Sequence, residues 1–209
     1  MKVVIFDMDG TLLDSKKDIT ISINYIRKTH YNLPPLSEEF VVEAINKDER
    51  NLPEMFYGTK TYQDKDRKVF EIHYAKQCVQ NPYLYDGIFE TLQKLVACGV
   101  KLAVATNAPT QFALRMLQHL KVADMFEMII GADKVKISKP NPEMINVILE
   151  HVGFDEKKDK AWLVGDSSKD MMGARNANIE GLFATWGFSP KGNHEKLIHM
   201  PKEILDIVL

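Results

Sequence analysis

The chain has 209 residues, enough for one domain or one domain with a smaller insert, and at this length folding buries roughly 70% of the unfolded surface without disulfide staples. Its 27 Lys and Arg against 29 Asp and Glu leave a net charge of −2, which excludes a nucleic-acid binder working through bulk positive charge and a polybasic membrane anchor. With 45% hydrophobic and 27% charged residues, the composition is that of an ordinary soluble globular protein.

Three β-rich runs, each closed by a polar residue and followed by a helical pattern, organise the chain: Lys2 to Asp7, Val100 to Thr106 and Ala161 to Asp166. Between about residues 15 and 85 strands vanish and several helices with polar loops are expected. Ile19, Ile21 and Ile23 alternate as a strand would, but Ser15 as a cap and the continuation to Ile26 favour a helix. From Asp64 to Asn81 there is no Gly or Pro, and Phe70, Tyr74 and Cys78 fall on one helical line. Phe112, Met116 and Leu120 form a later stripe, and Met144, Ile145, Ile148, Leu149 and Val152 another. Glu127–Ile130 and Gly181–Trp186 are shorter predicted strands.

Alternating strands and helices predict an α/β fold, a doubly wound parallel sheet covered on both faces. The expected division is a core of residues 1–14 and 85–209, with a small helical domain, residues 15–84, inserted over the strand ends. In such open sheets ligands bind beyond the carboxyl ends of the strands, where Asp7, Thr106 and Asp166 stand.

Cys78 and Cys98 are too few for a disulfide framework and lack metal-ligand spacing; both fall in apolar helical patterns and are expected to be buried thiols. The run Val3–Phe6 is too short for a signal peptide, and no stretch approaches the about 18 apolar residues of a membrane span. A cytoplasmic location is expected, with no membrane partner.

The strongest local signal is Phe6-Asp-Met-Asp-Gly-Thr-Leu-Leu-Asp-Ser15. Alternation along a strand would point Asp7 and Asp9 the same way at its end, and two close carboxylates suit a hard divalent cation. Gly10 permits a sharp exit.

Asp7-x-Asp9-Gly10-Thr11 resembles the first motif of the haloacid dehalogenase superfamily of aspartate-nucleophile phosphohydrolases. Thr106-Asn107 resembles the second, Lys139-Pro140 the third and Gly165-Asp-Ser-Ser-Lys-Asp170 the fourth, all in the family's order. The wording around them (Asp86-Gly87, Leu102-Ala-Val-Ala-Thr-Asn107, Lys139-Pro-Asn-Pro142, Thr185-Trp-Gly187) is most similar to the phosphoglycolate-phosphatase-like branch, whose cap domain the helical insert resembles.

The resemblance implies a role for each matched residue. Asp7 would be the nucleophile, forming an aspartyl-phosphate, and Asp9 the general acid and base. Mg²⁺ would be held by Asp7, the Asp9 main-chain carbonyl and Asp166. Asp170 would act behind the metal ligands or orient Lys139. Thr106 would donate to a phosphoryl oxygen and Lys139 would neutralise the transferring group. Asn141, Pro142 and Glu143 read as a helix start just behind Lys139, already attractive to an anion. Asn107 would donate to phosphate or cap the helix starting near Pro109. Similar sequences usually carry Gly where Ala177-Asn178 stand, and Asn tolerates the left-handed conformation such a helix end needs.

The implied function is a Mg²⁺-dependent phosphatase acting on a small phosphorylated metabolite, as a monomer or homodimer, with no nucleic acid as macromolecular ligand. The second aspartate of the first motif, Asp9, favours phosphoryl transfer over the dehalogenases and phosphonate hydrolases of the superfamily. A sugar phosphomutase keeps both aspartates and is the alternative, with a partner-binding regulatory module as a third reading. Substrate choice is expected in the cap, where Lys47, Asp48, Glu49, Arg50 and Asn51 form a charged stretch and Arg50 would suit a substrate carboxylate. The six histidines show no paired ligand spacing.

Overall fold

The computed structural model describes residues 1–47, 50–189 and 196–209. Of the charged stretch, Asp48 and Glu49 lie outside them. The chain divides into two compact units, Met1–Asp14 with Leu84–Leu209, and Ser15–Tyr83.

The first unit opens with β1 (Lys2–Phe6), leaves through the two-residue strand β2 (Leu13–Asp14) and is re-entered along β3 (Tyr83–Leu84). The Tyr85 N–H donates to the Leu12 carbonyl at 3.1 Å, which sets exit and return side by side. The helical unit in between holds α1 (Lys16–Tyr31), α2 (Glu38–Asn46), α3 (Leu52–Tyr57) and α4 (Asp64–Gln77). The core unit resumes with α5 (Ile88–Ala97), β4 (Lys101–Thr106), α6 (Thr110–His119), β5 (Met128–Gly131), α7 (Glu143–His151), β6 (Lys160–Gly165), α8 (Ser168–Asn176), β7 (Glu180–Ala184), β8 (Leu197–Ile198) and α9 (Glu203–Val208).

Six strands form one sheet in the order β5-β4-β1-β6-β7-β8, every neighbouring pair parallel. Val3, Ile5, Ala103, Ala105, Ala161 and Leu163 face one side and pack on Met144, Ile145 and Ile148 of α7 and Ala174 of α8. Val4, Phe6, Leu102, Val104, Trp162 and Val164 alternate with them and are buried as well. Burial on both faces explains why these strands read as unbroken apolar runs rather than alternating ones. The predicted α/β fold with a parallel sheet is the one formed. Because β4 lies on one side of β1 and β6 on the other, the connections diverge there and open a crevice at the carboxyl ends of the three strands.

In the helical unit Ile23, Ile26, Val41, Ala44, Phe56 and Tyr57 make a separate core. The ambiguous stretch around Ile21 is helical, and Ser15 is its N-cap residue, though its side chain makes no capping bond. Asp18, buried in the first turn of α1, accepts from Gln77 Nε2 at 2.7 Å and from Asn81 N and Nδ2 at 2.9 and 2.6 Å, which ties the start of α1 to the end of α4. That helix stops at Gln77, short of the Asn81 that the absence of Gly and Pro suggested. Arg50 stands in this unit near enough to Tyr62 for its charge to act on the phenol.

Cys78 is buried as expected, but Cys98 is exposed. Cys98 occupies the C-cap of α5, beyond Leu95, the last residue of that helix to face the core. Asn178 adopts φ 54°, and the Ile179 N–H reaches the Ala174 carbonyl at 3.0 Å, so asparagine closes α8 where similar sequences carry glycine.

Candidate active site

The crevice collects the polar residues of the four motifs. Asp7, Thr106, Lys139, Asp166 and Asp170 are all buried, and Asp9 is half-buried. β1 ends at Phe6, one residue before Asp7, so strand pairing does not extend the alternation of Asp7 to Asp9. The Asp7 N–H still donates to the Val164 carbonyl at 2.8 Å, holding Asp7 against β6. The chain then curls sharply, and the N–H groups of Thr11, Leu12 and Leu13 converge on the Met8 carbonyl at 3.2, 2.9 and 3.1 Å. Gly10 makes this possible with φ 87°; a Cβ there would lie 2.4 Å from Asp166 Oδ2.

Lys139 Nζ lies 2.7 Å from Asp7 Oδ1 and 2.6 Å from Asp170 Oδ1. Asp170 is the third residue of α8, and its other oxygen accepts from Ser167 N and Oγ at 3.1 and 2.5 Å. Asp170 thus both holds Lys139 and lends an oxygen to the cluster with Asp7 and Asp166. Gly165 permits the arrangement, since a Cβ there would fall 2.3 Å from that of Asp170.

Asn107 Nδ2 donates to the Lys139 carbonyl and its Oδ1 accepts from the Lys139 N–H, both at 3.0 Å. It does not cap α6, whose N-cap is Pro109. Its contact is with the lysine backbone, which the sequence reading missed. The helix behind Lys139 starts at Glu143, with Pro142 rather than Asn141 at the N-cap; Asn141 Oδ1 accepts from the Glu143 N–H at 3.0 Å. Thr106 Oγ accepts from the Ala108 N–H at 3.1 Å, so the hydroxyl proton is not used in that bond.

One carboxylate oxygen each of Asp7, Asp166 and Asp170 lies within 4.8 Å of the others. Burial pushes Asp7 well above the carboxylate range; Lys139 opposes this while Asp170 and Asp166 add to it. Burial, then the Asp170 charge, push Asp166 up to about 7. Burial would lower Lys139, yet the adjoining Asp170 and Asp7 carboxylates outweigh it and keep the ammonium charged. Three buried acids thus face one cation, and every donor is a hard oxygen. Such a set fits a hard divalent ion and not the nitrogen and sulfur preference of zinc.

Residues 4–184 match the family model described as haloacid dehalogenase-like hydrolase. The chain belongs to that family. Among curated relatives, a phosphoglycolate phosphatase of Aquifex aeolicus (strain VF5) is 31% identical, over 90% of this chain and 86% of its own. An N-acetylmuramic acid 6-phosphate phosphatase of Pseudomonas aeruginosa is 28% identical, over 100% of this chain and 95% of its own. The crystal structure of a "predicted phosphoglycolate phosphatase" from Haemophilus somnus 129PT superposes with a TM-score of 0.85 at 27% identity, covering 100% of this chain and 98% of that one. This member of the haloacid dehalogenase-like family therefore sits in the phosphoglycolate-phosphatase-like branch and is a phosphatase.

Two further contacts of this haloacid dehalogenase-like site hold the Asp166 carboxylate. Thr11 Oγ donates to Asp166 Oδ1 at 3.1 Å, and the Phe188 N–H donates to Asp166 Oδ2 at 2.7 Å. The second uses backbone, so any residue but proline would serve. The Ser167-x-x-Asp170 pairing, by contrast, is legible as a capping pattern at the start of α8.

Among the described residues no helix is long and apolar enough to cross a membrane.

Proposed function

We propose that this phosphatase is Mg²⁺-dependent and hydrolyses a small, phosphoglycolate-like phosphate monoester through an aspartyl-phosphate on Asp7. The observation that carries this reading is the buried Lys139 ammonium, 2.7 Å from Asp7, within a cluster that also holds Asp166. Asp7, Asp166 and the main-chain carbonyl of Asp9 would hold the ion. Bound there, it supplies positive charge to the carboxylates and to the phosphoryl oxygens.

In the first step an Asp7 oxygen attacks phosphorus in line. The bond from phosphorus to the leaving oxygen breaks as Asp9 delivers a proton to that oxygen. Lys139 offsets the negative charge on the transferring group, and the Thr106 hydroxyl donates to one of its oxygens. In the second step Asp9 takes a proton from water, whose oxygen attacks phosphorus. The bond to Asp7 breaks, releasing inorganic phosphate and restoring the carboxylate.

Relatives named phosphoglycolate phosphatases support the substrate class. The Pseudomonas aeruginosa relative, aligned along the whole chain, supports a sugar phosphate as the second candidate. A panel of phosphoglycolate, sugar phosphates, nucleotides, pyrophosphate and an aryl phosphate tests both. Phosphate release is expected to be fastest for a small monoester and to vanish in Asp7→Asn and on chelation. Substantial release by Asp7→Asn overturns the nucleophile, and sugar-phosphate isomerisation outpacing release points to a mutase.

A further inference from the structure

The segment after β7 reaches the site as well. Trp186 Nε1 donates to the Thr11 carbonyl at 3.0 Å. Thr11 is fully buried, and its own hydroxyl donates to Asp166 Oδ1 at 3.1 Å. Two residues past Trp186, the Phe188 N–H donates to Asp166 Oδ2 at 2.7 Å. Gly187, in between, has no room for a side chain: a Cβ would lie 2.1 Å from the Gly10 carbonyl oxygen and 2.4 Å from Asp166 Cβ. The backbone of 186–188 is thus pressed onto the turn after β1 and onto Asp166 together.

We propose that Trp186-Gly187-Phe188 is a clamp that positions the Asp166 carboxylate for the divalent ion, with Trp186 as its anchor. This rests on the reading of Asp166 as a cation ligand. A carboxylate free to rotate would have to be ordered when the ion arrives. Here two donors, one on each oxygen, order it beforehand, and each oxygen keeps a lone pair for the ion. The indole bond supports both donors. It fixes the Thr11 peptide from which one donor hangs, and it sets the start of the segment that carries the other. Trp186 is accordingly a positioning residue, acting through Thr11 and Asp166 without touching substrate. The geometry accounts for three adjacent features at once: a donor-bearing aromatic ring, a glycine that admits close backbone approach, and an N–H aimed at the carboxylate.

The test is Mg²⁺ titration of the full-length protein, followed by the thermal midpoint and separately by calorimetry, with Mg²⁺ alone as the probe. Trp186→Phe keeps most of the ring volume and removes the N–H. Weakening of Mg²⁺ binding by about tenfold is expected, the range typical of partners that orient metal ligands. The midpoint in chelator should fall somewhat, because the buried Thr11 carbonyl loses its donor, and the KM for an aryl phosphate at saturating Mg²⁺ should stay near the wild-type value. If Trp186→Phe does not fold, Thr11→Val replaces it, removing the hydroxyl donor at similar volume, with the same weakening expected. Asp166→Asn serves as the control and should lose the Mg²⁺ response. Wild-type Mg²⁺ affinity in the Trp186 or Thr11 variant, with the response lost in Asp166→Asn, overturns the clamp and leaves the ligand reading standing. A wild-type response in Asp166→Asn overturns the ligand reading, and the clamp with it.

Discussion

Asp170 holds Lys139 by an ion pair of 2.6 Å while its second oxygen is bound by Ser167 at the start of α8. The lysine therefore takes its place from a helix terminus as much as from its own loop. Asp170→Asn keeps the shape and removes the charge, leaving Lys139 to Asp7 alone. Turnover is expected to fall by about 10- to 100-fold with a smaller change in KM, because a preorganised charge is lost from the reacting centre. Lys139→Met should be worse for the fold, costing about 3–5 kcal/mol in urea denaturation, since it strips the cation from buried carboxylates.

Asn107 pins the same lysine from its backbone, with paired bonds of 3.0 Å. Asn107→Ala releases the peptide and is expected to cost about 1–3 kcal/mol of stability from the loss of part-buried hydrogen bonds. Activity should fall with it at saturating substrate. Unchanged kcat would show that the peptide keeps its position without the amide.

Gly165→Ala introduces a Cβ 2.3 Å from Asp170 Cβ and 2.4 Å from its Cγ. The helix start must shift. Overpacking of this kind costs about 1–3 kcal/mol, and the shift should carry Lys139 out of place. Loss of activity larger than the stability change explains is the expected result, from kinetics and urea denaturation on one preparation.

The pH dependence of stability follows from Asp166, raised by burial from 3.8 to about 7. Between those values the folded state keeps a proton that the unfolded state has released. Stability in chelator therefore falls as pH rises from about 4 to about 7 and levels off above, by a few kcal/mol on the scale of about 1.4 kcal/mol per unit. Asp7, raised for the same reason, adds a slope of the same sign. Urea denaturation at pH 5 and pH 8 should show the fall in wild type and a shallower one in Asp166→Asn. Mg²⁺ should restore stability at pH 8 in the wild type, because an ion bound only by the folded state favours it.

The two thiols differ in exposure, Cys98 exposed and Cys78 buried. A thiol reagent should modify one cysteine promptly in the native protein and both in urea. Prompt modification of both would mean that the α4 end opens readily.

The order along the chain of five of the six sheet strands, the parallel sheet and the motif residues at the strand ends were legible in the sequence, whereas β2, β3 and β8, two residues each, are too short to carry a periodic pattern. Apolar runs closed by Asp7, Thr106 and Asp166 are local patterns, and burial on both faces leaves them unbroken. The left-handed Asn178 was legible too, because a helix end imposes its own backbone requirement on the residue that closes it. Only the tertiary structure decided the partners. Asn107 faces the Lys139 peptide 32 positions away, Trp186 reaches Thr11 across 175, and Phe188 serves Asp166 with a backbone N–H that any side chain would conceal. Helical periodicity put Cys98 inside, but α5 ends before it. Contacts between distant segments depend on strand order and loop path, and neither is written in the residues on one side of the contact.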